Sequence, residues 1–246
     1  MITCREIGAG TNTTNDADQT ITPTDNSATG KLLIMYVVYE NANEGGGDTY
    51  ISIRDSYGNA WTEIFSVVNS SGTINDGTVM RSFSTMQDQN GLTTSDSILL
   101  SFSTTIEALV HIIYEVDSTN ILTITDSSST SGTGSSPTIT TNTIDNNNIV
   151  ICAFGRNSSG VITDDADTSN GSWSAGISKT KVATYNDADL TQELHSQYKV
   201  VTASATQTYN PTITTSSIYN LGWVEIHEDS SVTSSPILIM WNMTSY

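Results

Sequence analysis

The run Leu32-Leu33-Ile34-Met35-Tyr36-Val37-Val38-Tyr39 constrains this chain more than any other stretch. Eight large apolar residues stand in a row between Gly30-Lys31 and the polar segment of residues 40–47, which ends in three glycines. A strand with one wet face alternates apolar and polar residues. This one does not, so both of its faces need cover. A short buried helix is the rival, but β-branched and aromatic residues between flanking glycines favour a strand. Ile149-Val150-Ile151-Cys152-Ala153-Phe154 repeats the pattern in the second half. The chain is therefore expected to be built twice around a strand buried on both sides.

The rest of the sequence supplies short strands and turns. Residues 2–7 read as a first strand and Thr20-Ile21-Thr22 as a second, closed by Pro23. Tyr50-Ile51-Ser52-Ile53-Arg54 alternates, Asp55-Ser56-Tyr57-Gly58-Asn59 is a turn in which Gly and Asn tolerate positive φ, and residues 61–68 return as the second arm. Residues 79–86, 98–104 and 108–116 follow as strands, and no segment holds a helical period over about a dozen residues. Trp173 stands 112 residues after Trp61, and Leu221 stands 112 after Leu109. Offsets that agree in this way point to an internal duplication. The expected fold is all-β: an antiparallel, jelly-roll-like β-sandwich, internally duplicated. Its parts are a first repeat over residues 1–118, a second over 119–230, and an apolar C-terminal tail over 231–246. Spacing alone leaves open whether the repeats are separate sandwiches or share one core. A looser echo aligns His195-Ser196-Gln197-Tyr198 with Met80-Arg81-Ser82-Phe83.

Charge narrows the partners. Eight Lys and Arg face 26 Asp and Glu, a formal charge of −18, while only 14% of residues are charged. The polar surface must therefore consist largely of Ser, Thr and Asn. A phosphate backbone would be repelled, so no nucleic-acid partner is expected. No apolar run approaches the roughly 18–20 residues of a membrane span, and no leader-like segment follows Met1, so neither a membrane nor a signal peptide is expected. Cys4 and Cys152 read as small buried hydrophobes rather than a disulfide.

Chemistry is sparse. His111, His195 and His227 have no ligand-spaced cluster around them and read as strand histidines. No Gly-x-Ser-x-Gly elbow occurs, and no Ser/His/Asp set stands out. No enzyme activity and no cofactor are expected. The sharpest metal candidate is the start of a calcium loop at Asp165, Asp167 and Asn170, but its glycine, Gly171, falls one place late for an EF-hand, and Gly176 stands where a glutamate should. A solvated turn is the favoured reading there. Trp61 and Trp173 could stack on sugars, but their matched positions argue for core or hairpin roles. The tail carries Ile237, Leu238, Ile239, Met240, Trp241 and Met243, too apolar to stand in water, so it either completes a sheet on its own chain or docks on another.

Three features occur in order: a Gly-led apolar strand (residues 30–40), an Asp-x-x-Gly-Asn-x-Trp turn (residues 55–61) and a closing strand ending Tyr-Glu-Val-Asp-Ser-Thr-Asn (residues 114–120). In this the chain resembles a family of duplicated β-sandwich modules from tailed-bacteriophage structural proteins and bacterial surface proteins. The resemblance implies a non-enzymatic virion protein made in the host cytoplasm, a capsid decoration or cement protein on the head surface. The alternative it implies is a tail-fibre or surface adhesin that binds host glycans. Its expected partners are the major capsid protein or other virion proteins and further copies of itself. Tail residues Ile237, Leu238, Ile239, Met240, Trp241 and Met243 are the expected contact.

Overall fold

In the computed structural model the described residues are 2–12, 14–40, 50–70, 77–86, 90–185 and 188–229, with the backbone alone at 184, 185, 188 and 189. The first half forms β1 (Thr3–Thr11), β2 (Asp16–Ile21), β3 (Leu32–Tyr39), β4 (Tyr50–Asp55), β5 (Thr62–Asn69), β6 (Thr78–Met86), β7 (Ile98–Ile106) and β8 (Leu109–Asp117). The second forms β9 (Ile121–Gly134), β10 (Ile139–Ile144), β11 (Ile149–Arg156), β12 (Ile162–Thr163), β13 (Ile177–Tyr185), β14 (Ala188–Val200), β15 (Ala205–Tyr209), β16 (Thr212–Ile213) and β17 (Ser217–Asp229). Every pairing among them is antiparallel. The protein is an all-β stack of sheets.

β3 lies at the centre of a five-stranded sheet in the order β1-β8-β3-β6-β5, and β2-β7-β4 form a three-stranded sheet over one of its faces. The second half has the sheet β13-β14-β11-β17-β9, covered by the two-stranded pairs β10-β15 and β12-β16. With β9 set against β1, β17 against β8, β11 against β3, β14 against β6 and β13 against β5, the strand order of the two large sheets is the same. The small sheets correspond too, with β7 matched by β15 and β16 together.

The two large sheets pack face to face, giving four layers and three apolar cores. Alternation along β3 shows why its sequence does not alternate. Leu32, Ile34, Tyr36 and Val38 point into the central core between the large sheets, while Leu33, Met35, Val37 and Tyr39 point into the core of the first sandwich. β11 repeats this: Ile149, Ile151 and Ala153 enter the central core, and Val150, Cys152 and Phe154 enter the core of the second sandwich. Each half thus has its own core, and the two share a third.

The central packing is reciprocal. β5 packs on β9 as β13 packs on β1, β6 on β17 as β14 on β8, and β3 on β11 across the middle. Contacts exchanged in this way describe an approximate two-fold relation between the halves, the geometry of an isologous dimer within one chain. Two glycines mark the closest approach. A Cβ on Gly155 would come 2.5 Å from Val38 Cγ2, and one on Gly222 would overlap the Phe65 ring. Across the same core the Tyr36 hydroxyl donates to the Ile151 carbonyl at 2.9 Å.

Register corrects one sequence alignment. Met80 faces the central core whereas His195 points into the second sandwich, so setting one on the other puts them on opposite faces. The constant offset of 112 pairs His111 with Trp223, and Trp223 points into the core of the second sandwich.

Candidate functional site

A dense polar cluster lies in the second sandwich, where the loop after β12 meets β14. The loop is anchored by Gln197, whose Nε2 donates to the carbonyls of Asp165 (3.2 Å) and Ser174 (2.8 Å) while its Oε1 accepts the Asp165 N–H at 2.9 Å. Buried Asp165 accepts the N–H of Asp167 on one oxygen and that of Asn210 on the other, each at 2.8 Å. Asp167 accepts the Ser169 N–H at 3.0 Å and the Lys199 ammonium at 3.0 Å. These two donors, the Ser169 N–H first, hold its carboxyl down to about 2.

Lys199 is fully buried, reaches the Ser169 carbonyl and Gln207 Oε1 as well, and lies 4.8 Å from the centre of the Trp173 ring. Both carboxylates of the calcium candidate, Asp165 and Asp167, are therefore engaged by the protein's own donors. The cation that Asp167 meets is a lysine, and Asn170 serves the turn through a positive φ of 57° and a carbonyl that accepts the Thr202 N–H. Among the described residues no group of three or more His, Cys, Asp or Glu side chains is placed to hold a metal.

Beside this loop, β13 and β14 set Ser178 directly opposite His195. Ser178 Oγ lies 2.8 Å from His195 Nδ1. The other ring nitrogen, Nε2, is 3.4 Å from Gln197 Oε1 and 3.7 Å from Asp164 Oδ1. The imidazole is 1% exposed and stacks on Tyr209, with 6.5 Å between ring centres and 6° between planes. Burial pushes its pKa below the ordinary histidine value, against the opposing pull of Gln197 and Asp164. Gly176 is needed here: its N–H binds Asp164 Oδ2 at 2.7 Å, and a Cβ on it would overlap both the imidazole and the Asp164 carboxylate. Sequence reading did not bring these residues together. Their link is register: Tyr185 pairs with Ala188, and counting back from that pair reaches Ser178 and His195.

The other marked residues serve the fold. His111 is buried beside Gly10, and burial, with the Lys179 charge, lowers its pKa to about 4, so it is neutral. His227 is held through Nδ1 by Asn148 Oδ1 at 2.8 Å. Trp61 is half-buried against the first core, with its indole N–H on Asp55 at 3.0 Å, and Asp55 also takes the N–H groups of Tyr57 and Asn59 and the Asn59 amide. The Asp-x-x-Gly-Asn-x-Trp motif is thus a turn tied by one carboxylate. Trp173 and Trp223 are buried in the second core. Cys4 and Cys152 are both free and buried, Cys4 in the central core and Cys152 in the second. Ile237, Leu238, Ile239, Met240, Trp241 and Met243 lie outside the described residues.

One carboxylate has no surface role. Glu40, fully buried at the end of β3, takes the N–H groups of Glu107 (2.5 Å) and Ala108 (2.9 Å). Burial outweighs those donors and lifts its pKa from the ordinary 4.5 to about 7. A pKa raised by folding means that the folded state favours the protonated form. That contribution is complete below the unfolded value and is lost as pH rises through the folded one. From about pH 5 to pH 8 wild type is expected to lose on the order of 3 kcal/mol through this residue, a loss that Glu40→Gln escapes. Parallel denaturant titrations of both proteins measure it, and a stability difference that stays constant over this range would count against it.

Surface clefts lie elsewhere. One, about 430 Å³, sits at the junction of the halves between Met86, Ser118, Asn120, Leu122 and Asp229, and another, about 320 Å³, lies over Arg54, Ser97 and Leu99. Comparison with protein-family models, curated protein sequences and solved structures finds no match to this chain.

Proposed function

We propose that this chain is a structural protein of a bacteriophage particle, a decoration or cement protein on the head surface, built from two copies of one jelly-roll module. The observation that carries this reading is the four-layer stack. Two large sheets locked face to face, each covered by a smaller one, make a stiff block. The outermost layer of its second half carries no charge, with Thr140, Thr143, Thr163, Thr206, Thr208 and Thr212 exposed. Such a block suits reinforcement of a lattice. The first half adds support, because β1-β8-β3-β6 faces β2-β7-β4, an order we read as a jelly roll. Its partners would be the major capsid protein, or another virion protein, and further copies of itself. Against the glycan-binding alternative, Trp61, Trp173 and Trp223 turn toward the two sandwich cores.

Attachment falls to the apolar segment of residues 236–246, which follows β17 in sequence. Burying five or so large side chains there is worth about 1.5–3 kcal/mol each before ordering costs. Such a segment can add a strand to a neighbour's sheet edge. Truncation after Ser235 is expected to leave the melting temperature unchanged and to abolish co-sedimentation with particles. If the truncated chain unfolds instead, the segment belongs to the monomer's own core. If it folds and still binds particles, attachment lies elsewhere.

A further inference from the structure

We propose that Ser178 is a nucleophile with His195 as its general base, able to accept the acyl group of an activated carboxylic ester. This activity goes beyond the structural role and runs against the sequence expectation of no catalysis.

Hydrogen bonding decides the direction of the proton. Gln197 donates from Nε2 to two carbonyls, and its Oε1 receives the Asp165 N–H, so the amide cannot be turned round. Oε1 is therefore what faces His195 Nε2, and Nε2 carries the ring proton. Nδ1 is then bare, and the Ser178 hydroxyl 2.8 Å away donates to it. That is the arrangement a general base needs with its nucleophile. The Asp164 carboxylate, 3.7 Å from Nε2, faces the charge that appears when the ring takes a second proton. Stacking on Tyr209 and the close passage of Gly176 hold the ring in place. Burial keeps it neutral near pH 7, the form that accepts a proton.

Access is the other requirement. His195 is buried, but Ser178 is exposed on β13, the edge strand of its sheet, so a substrate can reach the hydroxyl without opening the fold. In the reaction Ser178 Oγ bonds to the ester carbonyl carbon while its proton moves to His195 Nδ1. The C–O bond to the leaving group breaks, and the alcohol departs with that proton. Water, deprotonated by the same nitrogen, then releases the acid and restores the serine. Good leaving groups need the least electrostatic help, which points to activated esters rather than amides.

The test is a fluorophosphonate probe on the full-length protein, followed by peptide mass mapping. Ser178 Oγ should displace fluoride and form one adduct, in preference to exposed serines without a histidine such as Ser103 and Ser216. The adduct should vanish in Ser178→Ala and form at least about 100-fold more slowly in His195→Gln, the scale of general-base assistance. Turnover of p-nitrophenyl acetate should be lost on labelling. Because His195→Gln could unfold, the wild-type adduct map stands as a separate criterion. Adducts spread over exposed serines, none at Ser178, or an unchanged rate in a folded His195→Gln protein would each overturn the proposal.

Discussion

Glu193→Ala is expected to destabilise the protein by about 3–5 kcal/mol, the usual cost of stranding one member of a buried ion pair. Its partner Arg156 ends β11 with no solvent exposure. The Glu193 carboxylate takes Arg156 Nε at 2.6 Å and Nη2 at 2.5 Å on one oxygen, and the Thr180 hydroxyl at 3.0 Å on the other. Once Glu193 is gone, the guanidinium keeps, among the described residues, the Gly160 carbonyl at 3.0 Å as acceptor, in a site where it has no solvent exposure. Its Nη1 already has no hydrogen-bond partner among the described residues. The sign reverses when both charges go: Arg156→Met with Glu193→Leu should recover most of the loss, because neither charge then needs solvation. Denaturant unfolding of the three proteins measures this. A Glu193→Ala protein within about 1 kcal/mol of wild type would show that water reaches the pair.

Gly155→Val should wedge the two large sheets apart. The added Cβ alone would stand 2.5 Å from Val38 Cγ2 and 3.3 Å from Cγ1, and Val38 cannot swing away because it is β-branched, fully buried and on the central strand. Overpacking of this kind costs about 1–3 kcal/mol, and here both sheets must shift. Val38→Ala opens space at that point, so the double variant should be more stable than the sum of the single losses allows. Simple additivity would mean that the sheets relax without using this contact.

Strand content was legible where the side chains had to be apolar. The run at β3 demanded cover on both faces, and the second half's large sheet supplies the face that the first half's own small sheet does not. The sharing of the central core was not legible, because a residue covered by the neighbouring half reads the same as one covered by its own sandwich. β13 went unread for the opposite reason. Ile177-Ser178-Lys179-Thr180-Lys181 is mostly polar, since one side of this edge strand meets water and its lysines discourage further pairing. Lys199 was equally hidden: a lysine some 30 positions from the aspartates gives no hint that it will be the cation Asp167 meets. The Ser178–His195 pair depends on hairpin register, which these polar strands do not set in advance.

The reciprocal stacking of the halves has a consequence for dilution and for growth. β8 and β9 are joined through residues 118–120 alone, so the large sheets meet at the millimolar effective concentration of a short tether. They stay together however dilute the protein becomes, and cutting the tether would turn the association into a bimolecular one. An isologous contact also closes on itself. The face that could have recruited another module is already occupied from within. The stack therefore stops at four layers, and any larger array has to grow from its edges, its outer sheets or its termini.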